Sequence, residues 1–194
     1  MAHIFDPEDR AKLDNPERRA EMPPEETLVR AGIKPGDIFL DIGCGTGYFS
    51  LPAARMVGPK GLVYAVDASG VMLAEIRSRV ASLGIFNLHA VQTAQGKLKM
   101  PEAEATIAFI SDTLHEVEDK NSFLAAVGAA LKPGTRLAVI EWMKKETPKG
   151  PPLKDRLSED EMQVLLKKAG FTEPAAAELG AAHLLYTCVK RPAL

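Results

Sequence analysis

The sequence predicts an α/β domain built on a doubly wound, mostly parallel sheet, and three observations carry that prediction. From residue 37 to residue 170, short apolar runs alternate with helical patterns. The run Ala105–Ile110 is apolar throughout, as in a strand covered on both faces. Two further strand-like runs, 175–179 and 183–190, are joined by Gly180-Ala181-Ala182 and read as an antiparallel hairpin. A chain of 194 residues suffices for one substantial domain, which at this size buries roughly 70% of the surface its unfolded form exposes.

The elements follow in order. Residues 1–23 read as a polar, helical prefix punctuated by Pro7, Pro16 and Pro23, set apart from a main domain over 24–194. Pro24 suits the first turn of a helix, where its missing N–H would be unpaired anyway, and Gly32 closes that helix after Ala31. Asp37–Ile42 is the first strand and Tyr48–Val57 the helix after it. Leu62–Val66 is a strand, and Val71–Leu83 a helix with apolar residues at 72, 73, 76, 80 and 83. Leu88–Val91 and Ala105–Ile110 are strands, Ser122–Leu131 a helix stopped by Pro133-Gly134, and Arg136–Glu141 a strand. Ser158 with Glu161 three residues later makes a capping box for a helix over Glu159–Ala169. In such a sheet ligands bind at the carboxyl ends of the strands, so a site is expected just after Ile42, Val66, Val91, Ile110 and Ile140.

Composition narrows the function. A net charge of −2 gives no general attraction to nucleic acid or anionic membrane, so neither is an expected partner. The one basic stretch, Lys144 to Arg156, reads as a solvated loop. Cys44 and Cys188 have no partners at metal-ligand spacing, so no metal is expected, and two distant thiols fit a reducing, cytoplasmic setting. No apolar run approaches the roughly 20 residues of a membrane helix, and the polar first fourteen residues lack a leader-like apolar core. Oligomeric state is not legible.

The chemistry concentrates in Asp41-Ile42-Gly43-Cys44-Gly45-Thr46-Gly47, at the end of the first strand. Glycines at 43, 45 and 47 allow a tight turn and close approach of a ligand to the backbone. Asp67 ends the second strand, where a carboxylate can accept hydrogen bonds from the two hydroxyls of a ribose. The dinucleotide fingerprint wants a small residue three positions after the second glycine, and Tyr48 stands there instead. An acid at Asp41 suits a cationic ammonium better than a pyrophosphate, which favours S-adenosylmethionine over NAD.

These residues, with Tyr48-Phe49-Ser50 and Val63-Tyr64-Ala65-Val66-Asp67-Ala68-Ser69, resemble the first two motifs of class I S-adenosylmethionine-dependent methyltransferases. The resemblance spans roughly residues 24 to 190 and includes Leu114-His115-Glu116-Val117-Glu118-Asp119 and Leu131-Lys132-Pro133-Gly134. It implies a Rossmann-like sheet of seven strands in the order 3-2-1-4-5-7-6, strand 7 antiparallel. It also implies that Gly43, Cys44, Gly45 and Gly47 line the cofactor and that Asp41 lies near its amino group. Asp67 and Ala68 would meet the ribose, Thr93 and Ala94 the adenine, and Ser111 the methionine part. One departure stands out: many relatives carry an acid where Ala94 is found, and Thr93 or Gln95 would have to substitute.

The acceptor side is less legible. Methyl transfer needs chiefly in-line positioning of a nucleophile, so a base is optional. Asp112 and His115, after the fourth strand, are the candidate catalytic residues; the alternative is that His115 and Glu116 only shape their own loop. Glu141-Trp142 can wall an acceptor pocket, and Arg10, Arg18 and Arg19 sit in the prefix that would lid it. The expected activity is methyl transfer to a small-molecule acceptor. An RNA or protein methyltransferase, or a cofactor-binding partner subunit without turnover, are the alternatives.

Overall fold

A computed structural model describes residues 14–93 and 104–192. Its frame is a seven-stranded sheet in the order β3-β2-β1-β4-β5-β7-β6. The strands are β1 (Ile38–Ile42), β2 (Leu62–Asp67), β3 (Leu88–Gln92), β4 (Ile107–Ser111), β5 (Arg136–Trp142), β6 (Ala175–Leu179) and β7 (His183–Val189). β7 runs antiparallel to both of its neighbours, and the other pairs are parallel. The predicted topology is the observed one.

Helices α1 (Pro16–Glu21), α2 (Pro24–Arg30), α3 (Ser50–Val57), α4 (Gly70–Leu83), α5 (Lys120–Ala130) and α6 (Glu159–Lys168) complete the fold. Side chains alternate across the strands, so each face has its own core. Phe39, Val63, Ile107, Phe109 and Ile140 meet α2, α3 and α4 through Leu28, Leu51, Ala54, Leu73 and Ile76. Leu40, Ile42, Ala108, Val139 and Tyr186 meet α5 and α6 through Leu124, Val127, Met162 and Leu166. β4 is buried at every position, as its unbroken apolar run requires.

Most differences from the expected boundaries have local causes. α5 starts two residues earlier than expected because the Asp119 carboxylate accepts from Ser122 N at 2.9 Å and from its hydroxyl at 2.6 Å, capping the first turn. α3 starts at Ser50 rather than Tyr48, since residues 43–49 are spent on turns. The basic stretch 144–156 is not simply a solvated loop. Arg156 is 5% exposed, and its guanidinium donates to the carbonyls of Met143, Lys145, Lys149 and Pro151 and to Thr147 Oγ1. One inward arginine thus gathers the whole turn, satisfying carbonyls that would otherwise be unpaired. Among the described residues, no helix is long and apolar enough to cross a membrane.

Candidate active site

β1 delivers Asp41 to the carboxyl edge of the sheet and turns at once. Gly43 and Gly47 take φ of 76° and 84°, values that L side chains rarely adopt. A Cβ on Gly43 would also overlap the Thr113 side chain, so the loop after β4 closes directly over the loop after β1. Asp67 ties the two halves of the cradle. One carboxylate oxygen accepts from Gly45 N at 2.9 Å and the other from Ser69 N at 2.8 Å. Each oxygen keeps a lone pair for a further donor. Cys44 is 7% exposed, and burial, followed by the nearby carboxylates of Asp41 and Asp67, pushes its thiol pKa far up.

Asp41 is 2% exposed and accepts from the Ser50 hydroxyl at 2.5 Å. Burial raises its pKa to about 7; the Ser50 bond lowers it and the Asp67 charge raises it again. A buried acid poised in this way gains from an arriving cation. Thr46 Oγ1 and Ser111 Oγ, at the same edge, are buried without a hydrogen-bond partner. Thr93 N donates to the Asp67 carbonyl, and the Gln92 amide donates to the Ala68 carbonyl at 3.1 Å. The positions expected to hold the cofactor, 41, 43, 44, 45, 47, 67, 68, 93 and 111, therefore lie along one edge; Ala94 is outside the described residues.

The other half of the edge gathers side chains from remote segments. His115, 9% exposed, sits in a short 3₁₀ turn, and its Nδ1 lies 2.9 Å from Glu141 Oε2. The other oxygen of Glu141 accepts from Leu114 N at 2.6 Å and from His115 N at 3.4 Å. Burial lowers the His115 pKa, but Glu141, Asp112 and Glu116 together overcome it and leave the value raised. His115 is thus better suited to donate a hydrogen bond or proton than to take one. Its ring is tied to β5 through Glu141, 26 residues along the chain.

Asp112 takes φ of 51°, the only positive value at a non-glycine among the described residues. Such strain is commonest where function fixes the backbone. Arg18 of α1 donates to Asp112 Oδ2 at 2.9 Å while lying over the Tyr48 ring at 4.5 Å. Tyr48 in turn donates to the Met22 carbonyl at 2.8 Å. Residues 18–22 of the prefix are therefore fastened to the loop after β4 and to Tyr48. Burial would raise the Asp112 pKa, but His183, Arg18 and His115 outweigh it and bring the value down to about 2. Asp112 is a carboxylate at neutral pH.

His183 was not among the expected site residues. It opens β7 opposite Trp142, against whose ring it lies at 4.2 Å, and its Nε2 is 3.3 Å from Asp112 Oδ1. Trp142 also meets Arg156, 5.1 Å from the ring centre, and Gly150, where a Cβ would overlap the indole.

With this geometry in hand, comparison with known proteins is direct. The methyltransferase-domain family matches residues 39–134. The chain is similar to the ubiquinone/menaquinone biosynthesis C-methyltransferase UbiE of Vibrio vulnificus, with 38% identity over 119 residues, 61% of this chain and 46% of that protein. The corresponding Marinomonas protein is 35% identical over 122 residues, 62% of this chain and 49% of that one. The chain thus spans about half the length of these curated relatives. A solved SAM-dependent methyltransferase from Aquifex aeolicus superposes with a TM-score of 0.89 at 33% identity, covering 96% of this chain and 99% of that one. Human N-acetylserotonin methyltransferase in complex with SAM shares the fold at 17% identity, with a TM-score of 0.72 over 96% of this chain and 57% of that one. The cradle of bare backbone and the two acids on it fit S-adenosylmethionine, and the chain belongs to the class I S-adenosylmethionine-dependent methyltransferases.

Proposed function

We propose that this protein transfers the methyl group of S-adenosylmethionine to a small aromatic acceptor bearing a hydroxyl, of the kind met on the way to a quinone. The observation that carries the reading is the wall of polar side chains around the loop after β4. Asp112, His115, Glu141 and His183 stand there beside Trp142, next to the glycine loop and under α1. The similarity to C-methyltransferases of quinone biosynthesis supports the acceptor class.

Bound S-adenosylmethionine supplies an electrophilic methyl group on a sulfonium. The residues expected to hold it are Gly43, Cys44, Gly45 and Gly47 along its length, Asp41 at its amino group, Asp67 and Ala68 at the ribose, Thr93 and Ala94 near the adenine, and Ser111 beside the methionine part. Asp41 offers the negative charge that a cationic ligand needs and a proton to release on its arrival. Asp112, ionised at neutral pH, can accept a hydrogen bond from the acceptor. His115, held by Glu141, can donate one or orient the ring. Residues 1–23 would act as the lid and 24–194 as the catalytic body. Arg18 fastens the part of that lid seen here.

Two free thiols, Cys44 and Cys188, support a cytoplasmic setting. The basic stretch gives little support to RNA as substrate. Arg156 is turned inward, Lys144 pairs with Glu161, and Lys149 pairs with Glu17 and Glu21. A subunit that holds the cofactor without turnover is the second reading, favoured by the alanine at position 94.

Transfer of labelled methyl from S-adenosylmethionine to a panel of phenols and quinols tests the reading. Product with hydroxylated rings is expected, and His115→Ala should lower turnover while leaving cofactor affinity unchanged. Tight cofactor binding with no transfer to any of them would favour the second reading.

A further inference from the structure

Two polar atoms beneath α1 are buried side by side with only one another for a partner. Asp112 Oδ1 and His183 Nε2 lie 3.3 Å apart, a charge contact that falls short of good hydrogen-bond geometry, and neither atom has a second partner. His183 is 4% exposed. Buried polar atoms nearly always make well-formed hydrogen bonds, so a pair held by one long contact asks for an explanation. The surroundings hold both in place. Arg18 occupies the other oxygen of Asp112, the backbone at Asp112 is strained, and the Trp142 ring lies against the imidazole.

A carboxylate oxygen and an imidazole N–H so arranged complement one chemical group, a hydroxyl. Its hydrogen goes to the carboxylate and its lone pair accepts from the imidazole; assigning the hydrogen to Nε2 follows from the facing acid. Other groups fit less well. An acceptor carboxylate would meet Asp112 head on, and an ammonium would meet the Arg18 guanidinium. The indole of Trp142 supplies a flat apolar wall beside the pair.

Resting on the reading that the acceptor is a hydroxylated ring, we propose that Asp112 and His183 seat the acceptor's hydroxyl, and that Arg18 closes over the seat. Both atoms are sealed while Arg18 sits on Asp112, so the ring enters with α1 raised. α1 is suited to lifting because it buries none of its own residues and is held largely by polar contacts.

The protein reports on this seat itself, because Trp142 is its single tryptophan. Anaerobic titration with 1,4-dihydroxynaphthalene, followed by tryptophan fluorescence, should give a saturable change. The dimethoxy analogue, which has no hydroxyl hydrogen, should bind at least about tenfold more weakly. His183→Phe keeps a ring against Trp142 but removes both nitrogens, and Asp112→Asn keeps the shape but removes the charge. Each should weaken binding of the quinol about tenfold or more while calorimetric affinity for S-adenosylmethionine holds within about twofold. His183→Gln, which keeps an N–H donor, should recover most of the loss. Should His183→Phe fold poorly, Asp112→Asn and His183→Gln carry the test. Methyl transfer to the quinol by the unaltered protein, with equal quinol affinity in both variants, would overturn the hydroxyl seat alone. Neither transfer nor binding by the unaltered protein would overturn the acceptor reading and the seat with it.

Discussion

The half of the sheet built from β1, β2 and β3 joins its site residues over short stretches of chain, whereas the half built from β4, β5 and β7 joins them over long ones. In the first half, Ser50 reaches Asp41 across 9 residues and Gly45 reaches Asp67 across 22. In the second, His115 reaches Glu141 across 26 residues and Arg18 reaches Asp112 across 94. The proposed cofactor side draws most of its residues from one strand–loop–helix–strand unit, with Thr93 and Ser111 added from after β3 and from β4. The proposed acceptor side forms only where separate segments meet. The difference fits a family in which one ligand is shared and the other varies: a local unit can stay fixed while remote residues at the facing edge change.

Four measurements test this contrast. The largest effect is expected on the acceptor side. Glu141→Ala removes the acceptor of two backbone N–H groups and the partner of a buried histidine with a raised pKa. A loss of about 3–5 kcal/mol in unfolding free energy is expected by chemical denaturation. A loss under about 1 kcal/mol would mean that the long-range contacts do not hold that half together.

Asp67→Ala should weaken cofactor binding by about 1.5–3 kcal/mol, read by calorimetry, through lost hydrogen bonds to the ribose and a loosened Gly45. Unchanged affinity would remove Asp67 from the ribose. A third effect is pH-dependent. With its pKa raised to about 7, Asp41 carries a proton below that pH, and the cation must displace it. Cofactor affinity should therefore fall below pH 7, by up to about tenfold per pH unit, and level off above it. The same shift makes the folded chain bind more protons than the unfolded one between the ordinary carboxyl value of 3.8 and about 7, so this group lowers stability as pH rises through that window. Asp41→Asn should flatten both profiles.

The smallest effect is expected at the edge of the lid. Lys149 pairs with Glu17 and Glu21 on the surface, and Lys149→Ala should change stability by only about 0–1 kcal/mol in thermal unfolding. A larger loss would shift the fastening of α1 from Arg18 to the rim.

The same contrast explains what could be read from the chain. The cradle was legible because each of its parts is marked locally: an apolar run, three alternating glycines, a helix and an acid after the next strand. Sheet order was legible through resemblance, and periodicity placed most helices to within a residue or two. His183 carries no such mark, since no motif surrounds it. One signal was available. An antiparallel strand beside β5 must begin at the edge where β4 and β5 end, so the first polar residue of β7 belongs with the site. Arg156 reads in sequence as one more solvated charge, because five oxygen partners drawn from residues 143 to 151 leave no trace in composition.

The antiparallel placement of β7 bears on how the molecule comes into being. β6 precedes β7 in the chain, yet bonds to no other strand and so has nothing to join until β7 has inserted next to β5. During synthesis the first five strands can assemble with their helices while the last two wait, because β7 follows β6 in the chain and must insert between it and β5. A nascent chain that stops short of residue 183 would carry the glycine loop and Asp67 but lack the imidazole beside Trp142. On the proposed assignment, the residues for the methyl donor are thus made before the residue that seats its acceptor.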